Sequence, residues 1–186
     1  MNQGNACNFN NSSSINLVNK FRKLWEQHIM WTRSFIISTA EELGDLSLVT
    51  ERVLRNPKDF ARLLRHFYGN SISAKFEKLF TDHLLIAADL VNAAKAGDAA
   101  GAEQARKKWY KNADDIALFL SSINPCWSQQ EWKTLLYSHL KMTEDEAVFR
   151  LNRKYKEDIM IYDDIQTEAL KMADYMACGI RSQFCC

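Results

Sequence analysis

The chain has 186 residues, 47% hydrophobic and 25% charged, with 24 Lys+Arg against 23 Asp+Glu. A chain of that length can bury a sizeable single core, and a formal net charge of +1 argues against a polybasic nucleic-acid binder and against an acidic tail. Only six Gly and two Pro nearly exclude an all-β sandwich or barrel and disfavour a Gly-loop nucleotide-binding α/β fold.

Met1 to Ser14 is Asn/Ser-rich, with no basic start or apolar segment of the secretory kind. It reads as a disordered tail, residues 1–14. Helical periodicity dominates from Ile15 onward. The spacing predicts a first helix over 15–43, ending at Gly44. A second segment covers 47–56, and Pro57 restarts a helix to Tyr68, with Asn56 as its N-cap. Gly69-Asn70 is a C-cap signal. The next helix reaches about Ala96, where Gly97-Asp98 ends it. Another spans 99–122, closed by Asn124-Pro125. A shorter one over 128–141 opens with Ser128 and Glu131 as a capping box. Thr143 with Glu146 repeats that signature and opens the last helix, to about Ser182.

No segment alternates as a strand would, and no repeat of fixed period stands out. The expected fold is all-α: a single-domain helical bundle of five to seven helices over 15–184. No stretch approaches about 18 uninterrupted apolar residues, so no membrane span is expected. The five cysteines are Cys7, Cys126, Cys178, Cys185 and Cys186. Their odd number and the absence of CxxC spacing predict free thiols and a reducing, cytoplasmic setting.

The four histidines can be placed individually. At about 100° per residue, His28 falls on one line with Phe21, Leu24, Trp25, Trp31, Thr32 and Phe35. His83 lies among Ile72, Phe76, Leu79, Phe80, Ile86 and Leu90. His139 lies with Trp132, Leu135, Leu136 and Met142. His66 shares its line with Asp59, Arg62 and Asn70, which puts it at the surface. Three core-facing imidazoles must hydrogen-bond or coordinate a metal. Asp114, Asp158 and Asp163 also have apolar neighbours in phase and are candidate ligands or partners, as is Asn112. Tyr155 and Tyr162 flank Asp158 on one line.

Bundle cores build metal sites from side chains that converge from several helices. Imidazole with carboxylate suits zinc, iron, manganese or nickel. The expected centre is therefore a transition metal held by His28, His83 and His139, with Asp114, Asp158 or Asp163 as ligand or tautomer-fixing partner. The Glu-x-x-His pairs of di-iron bundles are absent, as are the five histidines of a hemerythrin-like site and the His-Glu-x-x-His of metalloproteases. Two alternatives stay open: a structural or interaction module that forms a homo-oligomer, and a small-molecule enzyme using the same pocket for acid/base work. Walker and dinucleotide loops are absent. Cys126 is a loop thiol. Arg52, Arg55, Lys58, Arg62 and Arg65 read as a solvated face, with no interleaved aromatic platform for nucleic acid.

The runs Leu24-Trp25-Glu26-Gln27-His28, Asp82-His83-Leu84, Trp109-Tyr110-Lys111-Asn112-Ala113-Asp114, Ile123-Asn124-Pro125 and His139-Leu140, with Tyr155 to Asp163 and Met172-Ala173-Asp174, resemble an uncharacterised bacterial all-helical family. The resemblance covers about residues 20–184. Members often carry the automatic name acetylglutamate kinase, an activity that would need ATP-binding glycine loops this chain does not supply. What the resemblance implies is an all-helical fold whose patterned residues include His28, His83, Asp114, His139, Asp158 and Asp163. The leader and Cys185-Cys186 depart from the pattern.

Overall fold

The computed structural model describes residues 12–184. Five helices make up the described residues: α1 Ser12–Ala40, α2 Leu46–Lys95, α3 Ala99–Ile123, α4 Gln129–Leu151 and α5 Tyr155–Phe184. The expected all-α, single-domain bundle is what forms, with no strand among the described residues. Among the described residues, no helix is long and apolar enough to cross a membrane. Most of the leader expected to be disordered lies outside the described residues, and Ser12 to Ser14 are already helical.

Local chemistry explains most of the boundaries. Glu42, at φ 56°, breaks the chain after α1. α2 is two helices joined at a kink, because Gly69 is non-helical at φ 75° and ψ −179°, a region essentially restricted to glycine. Gly97 at φ 73° ends α2. Asp98 then caps α3, its side chain accepting from the Gly101 N–H at 2.9 Å. Ser128 caps α4 as expected, accepting from the Glu131 N–H at 3.3 Å.

Two boundaries differ from the sequence reading. Pro57 lies inside α2 and starts nothing. Asn56 is fully buried and spends its side chain on α1 instead of a cap. The helix containing His139 also runs through Thr143 to Leu151. Thr143 is buried and Glu146 reaches Arg33, so no capping box forms there. The break falls at Arg153, at φ 58°, a position that no glycine or proline marks.

The helices pack as consecutive neighbours, and α5 closes back on α1. With α2 split at its kink, the chain is three helix–helix hairpins: α1 with 46–68, 70–95 with α3, and α4 with α5. A repeat that the sequence reading did not detect runs through them. Phe21-x-x-Leu24-Trp25-x-x-His28, Phe76-x-x-Leu79-Phe80-x-x-His83 and Trp132-x-x-Leu135-Leu136-x-x-His139 occupy one register, 55 and then 56 residues apart. The second helices keep the same step. Val53, Asn56, Phe60, Ala61 and Leu64 match Trp109, Asn112, Ile116, Ala117 and Leu120. Both sets match Ile165, Glu168, Met172, Ala173 and Met176, and all fifteen are buried. The core is thus built three times from one apolar pattern.

Candidate metal centre

The repeat delivers one histidine from each hairpin to the same place. His28, His83 and His139 are 1%, 1% and 2% exposed. Their ring centroids lie 6.1 Å (His28–His83), 5.5 Å (His28–His139) and 6.5 Å (His83–His139) apart. Each offers one ring nitrogen within 4.8 Å of the others, and the three together could hold a metal ion.

Two of the three imidazoles are fixed in tautomer. Asn56 Nδ2 donates to the Leu24 carbonyl at 3.0 Å, which turns its Oδ1 toward His28 Nδ1 at 3.2 Å. An amide oxygen only accepts, so His28 carries its proton on Nδ1. Asn112 repeats the device one hairpin on: Nδ2 donates to the Leu79 carbonyl at 3.1 Å, and Oδ1 accepts from His83 Nδ1 at 3.1 Å. Both rings therefore keep the Nε2 lone pair, the form in which histidine binds a metal. Leu24 and Leu79 each stand one turn before the histidine concerned, so the helix supplies both ends of the clamp.

The third hairpin departs from this pattern. His139 Nδ1 is buried without a hydrogen-bond partner. The register of Asn56 and Asn112 is held there by Glu168, whose pKa burial raises and whose nearest cation, Lys171, is 3.9 Å away.

Burial drives all three imidazoles toward the neutral form. It lowers His83 to about 3 and His139 to about 4, and takes His28 well below its ordinary value with help from its two neighbours. One side of the cluster is closed by aromatic rings. Phe80 stacks on His28 at 4.8 Å and on His83 at 5.7 Å. Trp25 lies edge-on to His28 and His139 at 5.5 and 6.3 Å.

The structure does not bring the three aspartates into this group. Asp158 is buried as expected, but Arg33 Nη1 sits 2.6 Å from its Oδ1 and Arg150 Nη1 3.4 Å from its Oδ2. Arg33 also pairs with Glu146, which burial pushes up to about 7 against the pull of that guanidinium. The two tyrosines that flank Asp158 in sequence phase carry cation–π stacks instead, Arg33 on Tyr162 and Arg150 on Tyr155. Asp114 is partly exposed and bonds Tyr137 at 3.0 Å and Lys133 at 2.8 Å. Asp163 is exposed, as is His66. Helical phase alone could not see the arginines that claim the buried carboxylates.

Cys126 is free and exposed. Cys178 is disulfide-bonded, contrary to the expectation of free thiols.

The fold and the cluster define an all-α bundle with a buried histidine triad. No family model matches the chain, and no curated protein or solved structure matches it either.

Proposed function

We propose that this protein binds one transition-metal ion through His28, His83 and His139. The observation that carries the reading is three buried imidazoles, one from each repeat, with ring nitrogens within 4.8 Å. Supporting it, Asn56 and Asn112 hold two of them as Nε2 donors, and burial keeps all three unprotonated at neutral pH. Three neutral nitrogen ligands suit zinc first, then iron, manganese or nickel. A trihistidine set leaves at least one coordination position free, the arrangement of catalytic rather than structural zinc sites. An ion so held supplies a Lewis acid and lowers the pKa of a bound water.

Elemental analysis of protein purified without chelators tests this. About one metal per chain is expected, lost in His83→Ala. Substoichiometric metal in a folded native protein would sink the reading.

A further inference from the structure

The first hairpin carries a cationic groove whose two walls come from different helices. Lys20 and Lys23 of α1 line it with Arg55, Asp59, Arg62 and His66 of α2, around a space of about 350 Å³. That sets four permanent cations against one carboxylate, in a chain whose formal net charge is only +1. Taken along α2 alone, Arg55 and Arg62 read as a solvated face. The lysines that join them come from α1, so only the packed hairpin shows the cluster.

Asp59 organises the groove. Its side chain is 10% exposed; Oδ2 accepts from Arg55 Nε at 3.0 Å, and Oδ1 lies 3.3 Å from Arg62 Nη1. Both guanidiniums are thus held from one side, yet they stay 61% and 71% exposed, and their other N–H groups are open to a ligand. Among the described residues, Lys20 and Lys23 have no carboxylate partner. The repeat shows what is particular here. Lys78, the equivalent of Lys23 one hairpin on, pairs with Asp82 at 2.6 Å. Gln27 stands at the Asp82 position in the first hairpin, and Leu118 stands at the Arg62 position in the second. The second groove sets Lys108 and Lys111 against Asp82 and Asp115 and is balanced. The first has lost a carboxylate and gained an arginine.

We propose that this groove binds an oligophosphate, a short chain of linked phosphates. Arg55 and Arg62 hold phosphate oxygens through their free N–H forks, and Lys20 and Lys23 act as point charges from the other wall. The two arginines stand two turns apart, about 10 Å along α2, so the fit is to an anion longer than a single phosphate. The space is that of a small-molecule site. No Phe, Tyr or Trp lines it, so it offers no platform for a stacked base, and a nucleic-acid strand is not the fit. The groove stands apart from the histidine triad, and the proposal does not depend on the metal.

Calorimetric titration of the full chain with inorganic tripolyphosphate at low salt provides the test, with metal content measured before and after so that chelation is not read as binding. Saturable binding is expected, about tenfold tighter than that of orthophosphate. ATP distinguishes the sources: equal affinity assigns the groove to phosphate esters and much weaker affinity to free oligophosphate, and either supports it. Lys23→Gln and Arg62→Gln should each weaken tripolyphosphate by about fivefold or more, and Lys111→Gln in the second groove should leave it unchanged. Asp59→Asn is the sharpest variant, since it keeps all four cations and removes the one negative charge. A built site weakens when its arginines are released, whereas plain attraction to a positive surface strengthens. Absence of tripolyphosphate binding, tighter binding by Asp59→Asn, or an RNA oligonucleotide bound more tightly than tripolyphosphate would overturn the proposal.

Discussion

His28 Nδ1 lies 3.2 Å from Asn56 Oδ1, and that amide is pinned from behind by the carbonyl of Leu24, one turn before the histidine on its own helix. The same three-residue device recurs at His83, Asn112 and Leu79. Removing such a partner from a metal-binding histidine typically costs 10- to 100-fold in affinity. Asn112→Leu should therefore weaken zinc by about that factor, and Asn56→Leu likewise, with the ion count at saturation unchanged. Competition against a chromophoric chelator measures it. Equal affinities in both variants and the native chain would contradict the assignment of these asparagines.

Acid should unfold the metal-free protein early. An imidazole in the unfolded chain takes its proton near pH 6.5. In the fold, His139 takes it only at about 4 and His83 at about 3. Between those values the unfolded state binds more protons, so stability falls as pH drops from about 6.5. At about 1.4 kcal/mol per pH unit, His139 alone removes roughly 3 kcal/mol by pH 4. Glu146, raised by burial to about 7, and Glu168, also raised, act in the opposite direction over this window, and three imidazoles outweigh them. Urea midpoints of the metal-free protein at pH 7 and pH 4.5 check the sign. A midpoint at pH 4.5 equal to or above that at pH 7 would be inconsistent with neutral buried histidines.

Arg33 holds two carboxylates that are almost fully buried, Glu146 at 2% and Asp158 at 1% side-chain exposure. Arg33→Met leaves Glu146 without its cation and Asp158 with Arg150 alone. Breaking a buried pair costs about 3–5 kcal/mol, and metal content per folded chain should stay at the native value. The loss should shrink near pH 6, where Glu146 is protonated. A drop in metal content with native stability would return Asp158 to the list of ligands.

Gly69 is the joint between the first and second hairpins. Its φ of 75° with ψ −179° is open to glycine alone, although a Cβ there would meet nothing within 4 Å. Gly69→Ala should therefore cost about 1–3 kcal/mol through backbone strain alone, with metal affinity intact. Thermal denaturation measures it, and an unchanged midpoint would mean that the kink is soft.

Glycine-poor composition and helical phase were enough to read the bundle and to place three of the four histidines inside. They were enough because a helix end at Gly69 or Gly97 is written in the residue itself. The break at Arg153 was not readable, since a non-glycine in the left-handed region carries no mark. Asn56 before Pro57 looks like a cap until α1 is packed beside it. The aspartates were misplaced for a related reason: burial of Asp158 is legible from phase, but its capture by Arg33, 125 residues away, is not. The repeat was present in the sequence throughout. Outside the invariant His and the Leu24, Leu79 and Leu135 position, it is carried mostly by exchanges among different apolar side chains at a step of 55 and 56, and it becomes plain once Asn56 and Asn112 are seen making one bond twice.

X-ray absorption at the zinc edge of the zinc-loaded protein tests the central claim most directly. Three imidazole nitrogens at about 2.0–2.1 Å, with the outer-ring scattering that marks histidine, plus one oxygen ligand, are predicted. A shell of oxygens alone, or a sulfur near about 2.3 Å, would place the ion elsewhere and contradict a centre built from His28, His83 and His139.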